Sequence, residues 1–342
     1  MKWIVVIVHL IALFESKKLT IEENEQRLKE CGLTTTNKIF RGAKTTVDQA
    51  PWALFVGSSV SSCSGTLISP RHVLSATHCI ANHSDIEWTK SRINFEFDRE
   101  LCTENENYIV TEVKASKVYV MNRNYTEIGR AKFIFLLKFC RRITDKEAFQ
   151  IQYPDDFMII ELAEDVEYTT NVQPACIADD IEDNPPETIA RFFGYGDDPP
   201  PGVVKTPENS KKGTDRPLLT QEIRILPVNV EGTLNRMDPR LFKARSQSMK
   251  SITCPGDSGG GAIRVINGRN TVIGVTSQST CVSLNREENG HEIYGAVGFY
   301  SEEICELTGV CNLDSDENSS HSRFEIFDLI TLTLITFWFV LQ

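Results

Sequence analysis

From Trp52 to Cys281 the apolar residues come in short runs, several of them alternating with polar positions and interrupted by Gly, Pro, Asn and Asp. ALFVGSSV (53–60), GTLISP (65–70), KVYVM (117–121), FMIIEL (157–162), QEIRILPV (221–228) and NTVIGVTS (270–277) have this form. Short strands separated by turn signals predict an all-β sandwich or barrel. Two stretches read as helix instead. TIEENEQRLKECG (20–32) is polar, ends at Gly32, and carries Thr20 with Glu23 in the spacing of a capping box. FYSEEICELTGVC (299–311) predicts one last short helix. Residues 122–152 read as a charged insert, and 197–217 and 283–291 as polar loops.

The ends follow a different pattern. MKWIVVIVHLIALFES places one Lys before an apolar run from Trp3 to Phe14. That is the layout of a secretory signal, expected over 1–16, with a buried N-terminal helix as the other reading. Near the other end, LITLTLITFWFVL (329–341) is apolar apart from its threonines. Small residues at Asn318–Ser320, a polar spacer and this tail match a glycosylphosphatidylinositol signal. A short membrane span or a core helix are the alternatives, although the run falls short of the ~20 residues a span needs.

Composition narrows the class. The 342 residues suffice for one large domain or two small ones. A net charge of −11 argues against nucleic acid as a partner. Ten cysteines behind such a leader imply an oxidising compartment. No CxxC pair is present and the histidines do not cluster with cysteine, so no metal or other cofactor is expected. The acidic stretch 96–106 reads as a solvated loop before it reads as a calcium loop. Asn82, Asn124 and Asn318 head glycosylation sequons.

The chemistry sits in three segments: SATHC (75–79), DDFMIIEL (155–162) and TCPGDSGGG (253–261). Serine is a weak nucleophile near neutrality and needs a base to take its proton. Histidine supplies that base, and a carboxylate fixes its tautomer. The order His, Asp, Ser is that of chymotrypsin, not of subtilisin or the α/β-hydrolases. The chain therefore resembles the chymotrypsin-fold (trypsin-like) serine peptidases, over roughly 39–307, and is most similar to divergent nematode members.

The resemblance implies two packed antiparallel six-stranded β-barrels with a short C-terminal helix. It implies a signal peptide at 1–16, a propeptide at 17–38, a peptidase domain at 39–310, a polar linker at 311–328 and an apolar tail at 329–342. Catalytic roles fall on His78, Asp156 and Ser258, with Asp155 the competing carboxylate. Asp156 is preferred because it directly precedes the apolar quartet Phe157–Ile160. The N–H groups of Gly256 and Ser258 would form the oxyanion hole. Cleavage after Lys38 would free the amino group of Ile39 to pair with Asp257. Phe40 and Arg41 depart from the small residues usual after such a start.

The specificity pocket would be lined by Ile252, Thr253, Ser277, Ser279 and Glu292, with Ser277 also supporting the buried Asp. Ile252 stands where trypsins carry an acid. Glu292 could receive a basic side chain, plug the pocket, or lie exposed in the polar run before it. Implied disulfides are Cys63–Cys79, Cys254–Cys281 and Cys31–Cys176. The remaining Cys102, Cys140, Cys305 and Cys311 are paired as Cys102–Cys140 and Cys305–Cys311 without family support. The expected activity is that of an extracellular or surface-attached serine endopeptidase acting on peptides or proteins. An activating protease is an expected partner, and contact with membrane would come only through a lipid anchor. The rival expectation is a catalytically silent binding or regulatory module on the same fold.

Overall fold

The computed structural model describes residues 16–33, 50–82, 90–102, 106–140, 155–197, 216–227, 238–247, 253–279 and 291–312. The leader, the apolar tail, Lys38, Ile39, Ile252, Cys281 and Asn318 lie outside them. Up to Cys311 the chain forms one compact unit, and Asn312–Gln342 is a second.

Seven strands form the first sheet: β1 (Ala53–Gly57), β2 (Ser62–Leu67), β3 (His72–Ser75), β4 (Tyr108–Val110), β5 (Tyr119–Met121), β6 (Glu127–Leu136) and β7 (Met158–Leu162). Their order is β4-β6-β5-β1-β2-β3-β7, and β6 also pairs with β7. That pairing closes six of them into an antiparallel barrel and leaves β4 on its outside.

The second sheet contains β8 (Cys176–Ile177), β9 (Ile189–Gly194), β10 (Leu219–Ile225), β11 (Leu241–Ser246), β12 (Gly261–Ile266), β13 (Arg269–Ser279) and β14 (Glu292–Ala296). Pairing of β12 with β13 closes a second six-stranded barrel, and β8 adds to β13 in parallel. Closure removes the exposed edges that an open sheet would present. The expected two-barrel fold is thus the fold of the chain.

Alternation along the strands joins the barrels. In β6 and β7, Ile134, Leu136, Met158 and Ile160 face the first barrel's own core, with Leu54, Val73 and Val120. Their neighbours Phe133, Phe135 and Ile159 face the other way, into a core shared with Phe192, Ile223, Val275 and Tyr294 of the second barrel. A strand buried on both faces reads as a nearly continuous apolar run, as FMIIEL does.

One sequence expectation fails here. The supposed insert 122–152 contains β6, a ten-residue strand central to the first barrel. Its first half, Glu127–Arg130, is largely solvated and polar, which hides the alternation that begins at Ala131.

Helix α1 (Ile21–Glu30) starts with both arms of the capping box formed: Glu23 N–H donates to Thr20 Oγ1 at 3.1 Å and Thr20 N–H to Glu23 Oε2 at 2.9 Å. The helix is clamped to the body. Leu19 N–H donates to Thr308 O, and Asn24 and Arg27 side chains both donate to Cys311 O. Buried Arg71 pairs with Glu23 at 2.8 Å and Asp165 at 2.6 Å. A disulfide ties Cys31 to Cys176. After α2 (Glu112–Ala115), the last helix is α3 (Ser301–Thr308), ended by Gly309 in the left-handed region at φ 70°. Among the described residues no helix is long and apolar enough to cross a membrane.

Candidate active site

His78 lies in a single turn, Thr77–Cys79, directly after β3. The turn is held from three sides. Cys79 is disulfide-bonded to Cys63 of β2. Thr77 Oγ1 donates to Phe157 O at 3.1 Å. The backbone N–H of His78 donates to Asp156 Oδ1 at 2.9 Å. The imidazole then meets the same carboxylate, with Nδ1 at 2.7 Å from Asp156 Oδ2. Ser277 Oγ, from β13 of the second barrel, donates to that oxygen at 2.5 Å.

Asp156 is fully buried. Burial alone would raise its pKa, but the facing imidazole and the hydrogen bonds from His78 and Ser277 hold it below the usual carboxylate value. Asp155 turns elsewhere: its Oδ1 accepts from Tyr300 at 2.7 Å and its Oδ2 from Arg240 at 2.9 Å. Adjacent aspartates thus serve different partners, one facing the imidazole and the other crossing to the second barrel.

Ser258 sits at the tight turn before β12. Gly256 and Gly259 on either side have φ of 106° and 82°. A Cβ on Gly259 would stand 2.2 Å from Ser75 Oγ and 2.4 Å from Ser64 O, so the turn closes only with glycine there. The turn is pinned to the histidine side of the molecule. Ser64 N–H donates to Ser258 O at 2.8 Å, and the same carbonyl lies 3.9 Å from Cys79 Sγ, one residue past His78. The neighbouring N–H groups are engaged: Asp257 to Cys254 O, Gly259 to Thr276 O and Gly260 to Asp257 O. Among the described residues, no protein acceptor is bonded to the N–H groups of Gly256 and Ser258.

Ser64 was not singled out from the sequence. Its Oγ donates to Gly256 O at 2.8 Å and accepts from Tyr195 N–H at 2.9 Å, while its carbonyl accepts from Ser75 Oγ. One small side chain therefore links β2, the Tyr195 loop and the serine turn. Its place right after Cys63 was the only sequence signal.

Two buried acids lie under this turn. Asp257 accepts Gly196 N–H at 2.7 Å and Cys254 N–H at 2.8 Å. Burial pushes its pKa up to about 7 against those bonds; Glu292 pushes the same way and Arg216 opposes it. Glu292 is 1% exposed, which corrects the reading that leaves it in a solvated loop. It begins β14, every residue of which is buried. It accepts Thr253 N–H, Gln221 Nε2 and the Tyr294 hydroxyl at 2.6–2.7 Å, and burial raises its pKa against those donors. Ser279 Oγ donates to Thr253 O at 2.5 Å. Thr253, Ser279 and Glu292 are thus brought together, whereas Ser277 turns to Asp156 and Ile252 lies outside the described residues.

The remaining bridges are Cys102–Cys140 and Cys305–Cys311. Cys254 is also disulfide-bonded, and Cys281 lies outside the described residues. Among the described residues the candidate metal-ligand group is Cys63, His78 and Cys79. Its two sulfurs are joined to each other and offer no thiolate to an ion.

The family model described as the nematode trypsin-6-like family matches residues 1–311. The chain belongs to the nematode trypsin-6-like family. As such it is a divergent chymotrypsin-fold serine protease homologue. It is similar to CLIP domain-containing serine protease B15 of Anopheles gambiae, 26% identical over 254 residues that cover 70% of this chain and 62% of that one. Serine protease ea of Drosophila melanogaster is 25% identical over 170 residues, 44% of this chain and 38% of that one. The chain thus spans less than two thirds of these curated relatives. Among solved structures, the scabies mite inactivated protease paralogue S-I1 matches with a TM-score of 0.51 at 17% identity, covering 78% of this chain and 98% of that one. That likeness is one of fold.

Proposed function

We propose that this nematode trypsin-6-like chain is an active serine endopeptidase that works outside the cell through an acyl-enzyme. The observation that carries the reading is the buried Asp156 carboxylate, which receives both the backbone N–H and Nδ1 of His78 while Ser277 donates to the same oxygen that faces Nδ1. Ser258 is the nucleophile. Its hydroxyl proton passes to His78 Nε2 as Oγ adds to the peptide carbonyl, and the same proton then goes to the leaving amine. Water repeats the cycle on the acyl-enzyme. The N–H groups of Gly256 and Ser258, without protein acceptors among the described residues, receive the oxyanion. Cleavage after Lys38 gives Ile39 an ammonium for Asp257, whose buried carboxylate is otherwise costly to ionise. The substrate is a peptide or protein, with Thr253, Ser279 and Glu292 at the specificity pocket.

Profiling of the processed protein on a peptide library tests this. Cleavage at internal bonds, absent in Ser258→Ala, is expected. No cleavage of any peptide by protein cut after Lys38 overturns the reading.

A silent binding module is the second reading. The observation favouring it is Glu292, which is buried and already bonded to three protein donors rather than presented to a substrate side chain. The extracellular setting is supported by the nine described cysteines, all of them disulfide-bonded. Release of surface protein by phosphatidylinositol-specific phospholipase tests the lipid anchor.

A further inference from the structure

Asp257 is bonded through both carboxylate oxygens, but its donors, Gly196 N–H and Cys254 N–H, are neutral. Neutral donors solvate a buried charge without cancelling it. The carboxylate also fills space that no other residue could share. A Cβ on Gly194 or Gly196 would run into it at 2.2 and 2.1 Å. Arg216 reaches this knot at Gly256 and Pro255. Arg216 Nη1 lies 2.2 Å from where a Cβ on Gly256 would stand and 3.5 Å from Pro255 O. Its Nε is 3.1 Å from Asp197 Oδ1, with the two side chains only 10% and 6% exposed. Asp197 N–H in turn donates to Pro255 O at 3.2 Å. Segments 196–197 and 254–257 and the Arg216 guanidinium therefore pack as one unit directly behind the oxyanion-hole glycine.

A guanidinium is permanently charged and planar, so it can lie flat on a glycine and brace two carbonyl-bearing segments at once. Burying it with Asp197 carries a desolvation cost that surface pairs escape, which makes it a poor device for stability alone. We propose that Arg216, oriented by Asp197, is a positioning residue that supplies the positive charge beside Asp257 and orders the Pro255–Ser258 turn while the chain is still uncut at Lys38. The inference rests on the endopeptidase reading above and adds its regulation: the uncut chain has basal reactivity at Ser258. Cleavage then supplies a second cation and raises that reactivity.

The test is the rate of covalent labelling of Ser258 by a fluorophosphonate. It compares protein cut after Lys38 with a Lys38→Gln chain verified as uncut by mass. The uncut chain should label measurably. Arg216→Met should slow labelling of the uncut form by on the order of tenfold, a fraction of the ~10²–10³ lost when an oxyanion donor is removed. The loss in the cut form should be several-fold smaller. Arg216→Lys, which keeps the charge and guards against a variant that fails to fold, should recover part of the uncut rate. A merely structural arginine would slow both forms alike, so equal slowing overturns the proposal. An uncut chain that does not label, beside a cut chain that does, also overturns it and leaves the endopeptidase reading standing. No labelling of either form removes both.

Discussion

Asp156 and Asp257 are both fully buried and both accept backbone N–H groups, yet their acidities move in opposite directions. Asp156, beside the first barrel, faces an imidazole and the Ser277 hydroxyl, so its charged form is favoured. Asp257, in the second, is disfavoured as a charge by burial and by the nearby Glu292 carboxylate, and the neutral amides of Cys254 and Gly196 together with Arg216 do not outweigh them. Burial is the same; the neighbour decides. The first acid is suited to staying ionised under a base that gains a proton. The second is suited to a charge that Arg216 offsets only in part and that a further cation would favour more.

The sharpest way to break this contrast is to neutralise the first acid. Asp156→Asn should lower turnover by about 10⁴-fold with the fold intact, because the imidazole loses its orienting acceptor. Asp155→Asn, which touches Tyr300 and Arg240 instead, should cost far less. Comparable kinetics for the two variants would erase the distinction between the neighbours.

Stability against pH separates the two acids next. The folded pKa of Asp257 is about 7 against 3.8 in the unfolded chain, so its contribution is full below about pH 4 and is lost as pH rises toward 7. Asp156 is lowered, so its contribution is present above 3.8 and lost as the pH falls below it. Buried His72, depressed from 6.5 to about 3 first by desolvation and then by Arg71, also loses its contribution as the pH falls below 6.5. Between about pH 4 and 6.5, Asp257 and His72 therefore oppose each other. Urea unfolding of Asp257→Asn across pH 4–8 should show stability rising with pH where the wild type is flatter. An unchanged profile would mean that Asp257 is already ionised against a cation in the uncut chain.

Ser64→Ala is a smaller perturbation on the seam between the barrels. It strands Tyr195 N–H and Gly256 O inside the protein, at a cost of about 1–3 kcal/mol by denaturant titration. Smallest is Thr20→Ala at the α1 cap, about 1 kcal/mol, which touches neither acid's hydrogen bonds. It should leave turnover per folded molecule unchanged, which separates stability from chemistry.

Much of this was legible because it is local. Short runs such as FMIIEL and NTVIGVTS become β7 and β13, and FYSEEICELTGVC supplies α3. Thr20 and Glu23 are three residues apart, and their capping box forms. What stayed hidden depends on partners distant in sequence. Strand β6 is obscured by exposed Glu127 and Arg130 and half-buried Lys132, which precede the buried run from Phe133. Glu292 follows a polar run, yet it opens β14, all of whose residues are buried, and its partners Gln221 and Thr253 are distant in sequence. Ser64, Tyr195 and Arg216 carry no motif; they matter because β2, the end of β9 and the start of β10 converge behind Gly256.

The central claim is that Ser258 is an activated nucleophile, and intact-mass analysis of the Lys38-cut protein after fluorophosphonate treatment tests it most directly. One adduct per chain, mapped to the peptide holding Ser258 and absent from His78→Ala, is the predicted result. A correctly cut, folded protein that carries no adduct, or that carries it equally well without His78, would contradict the account.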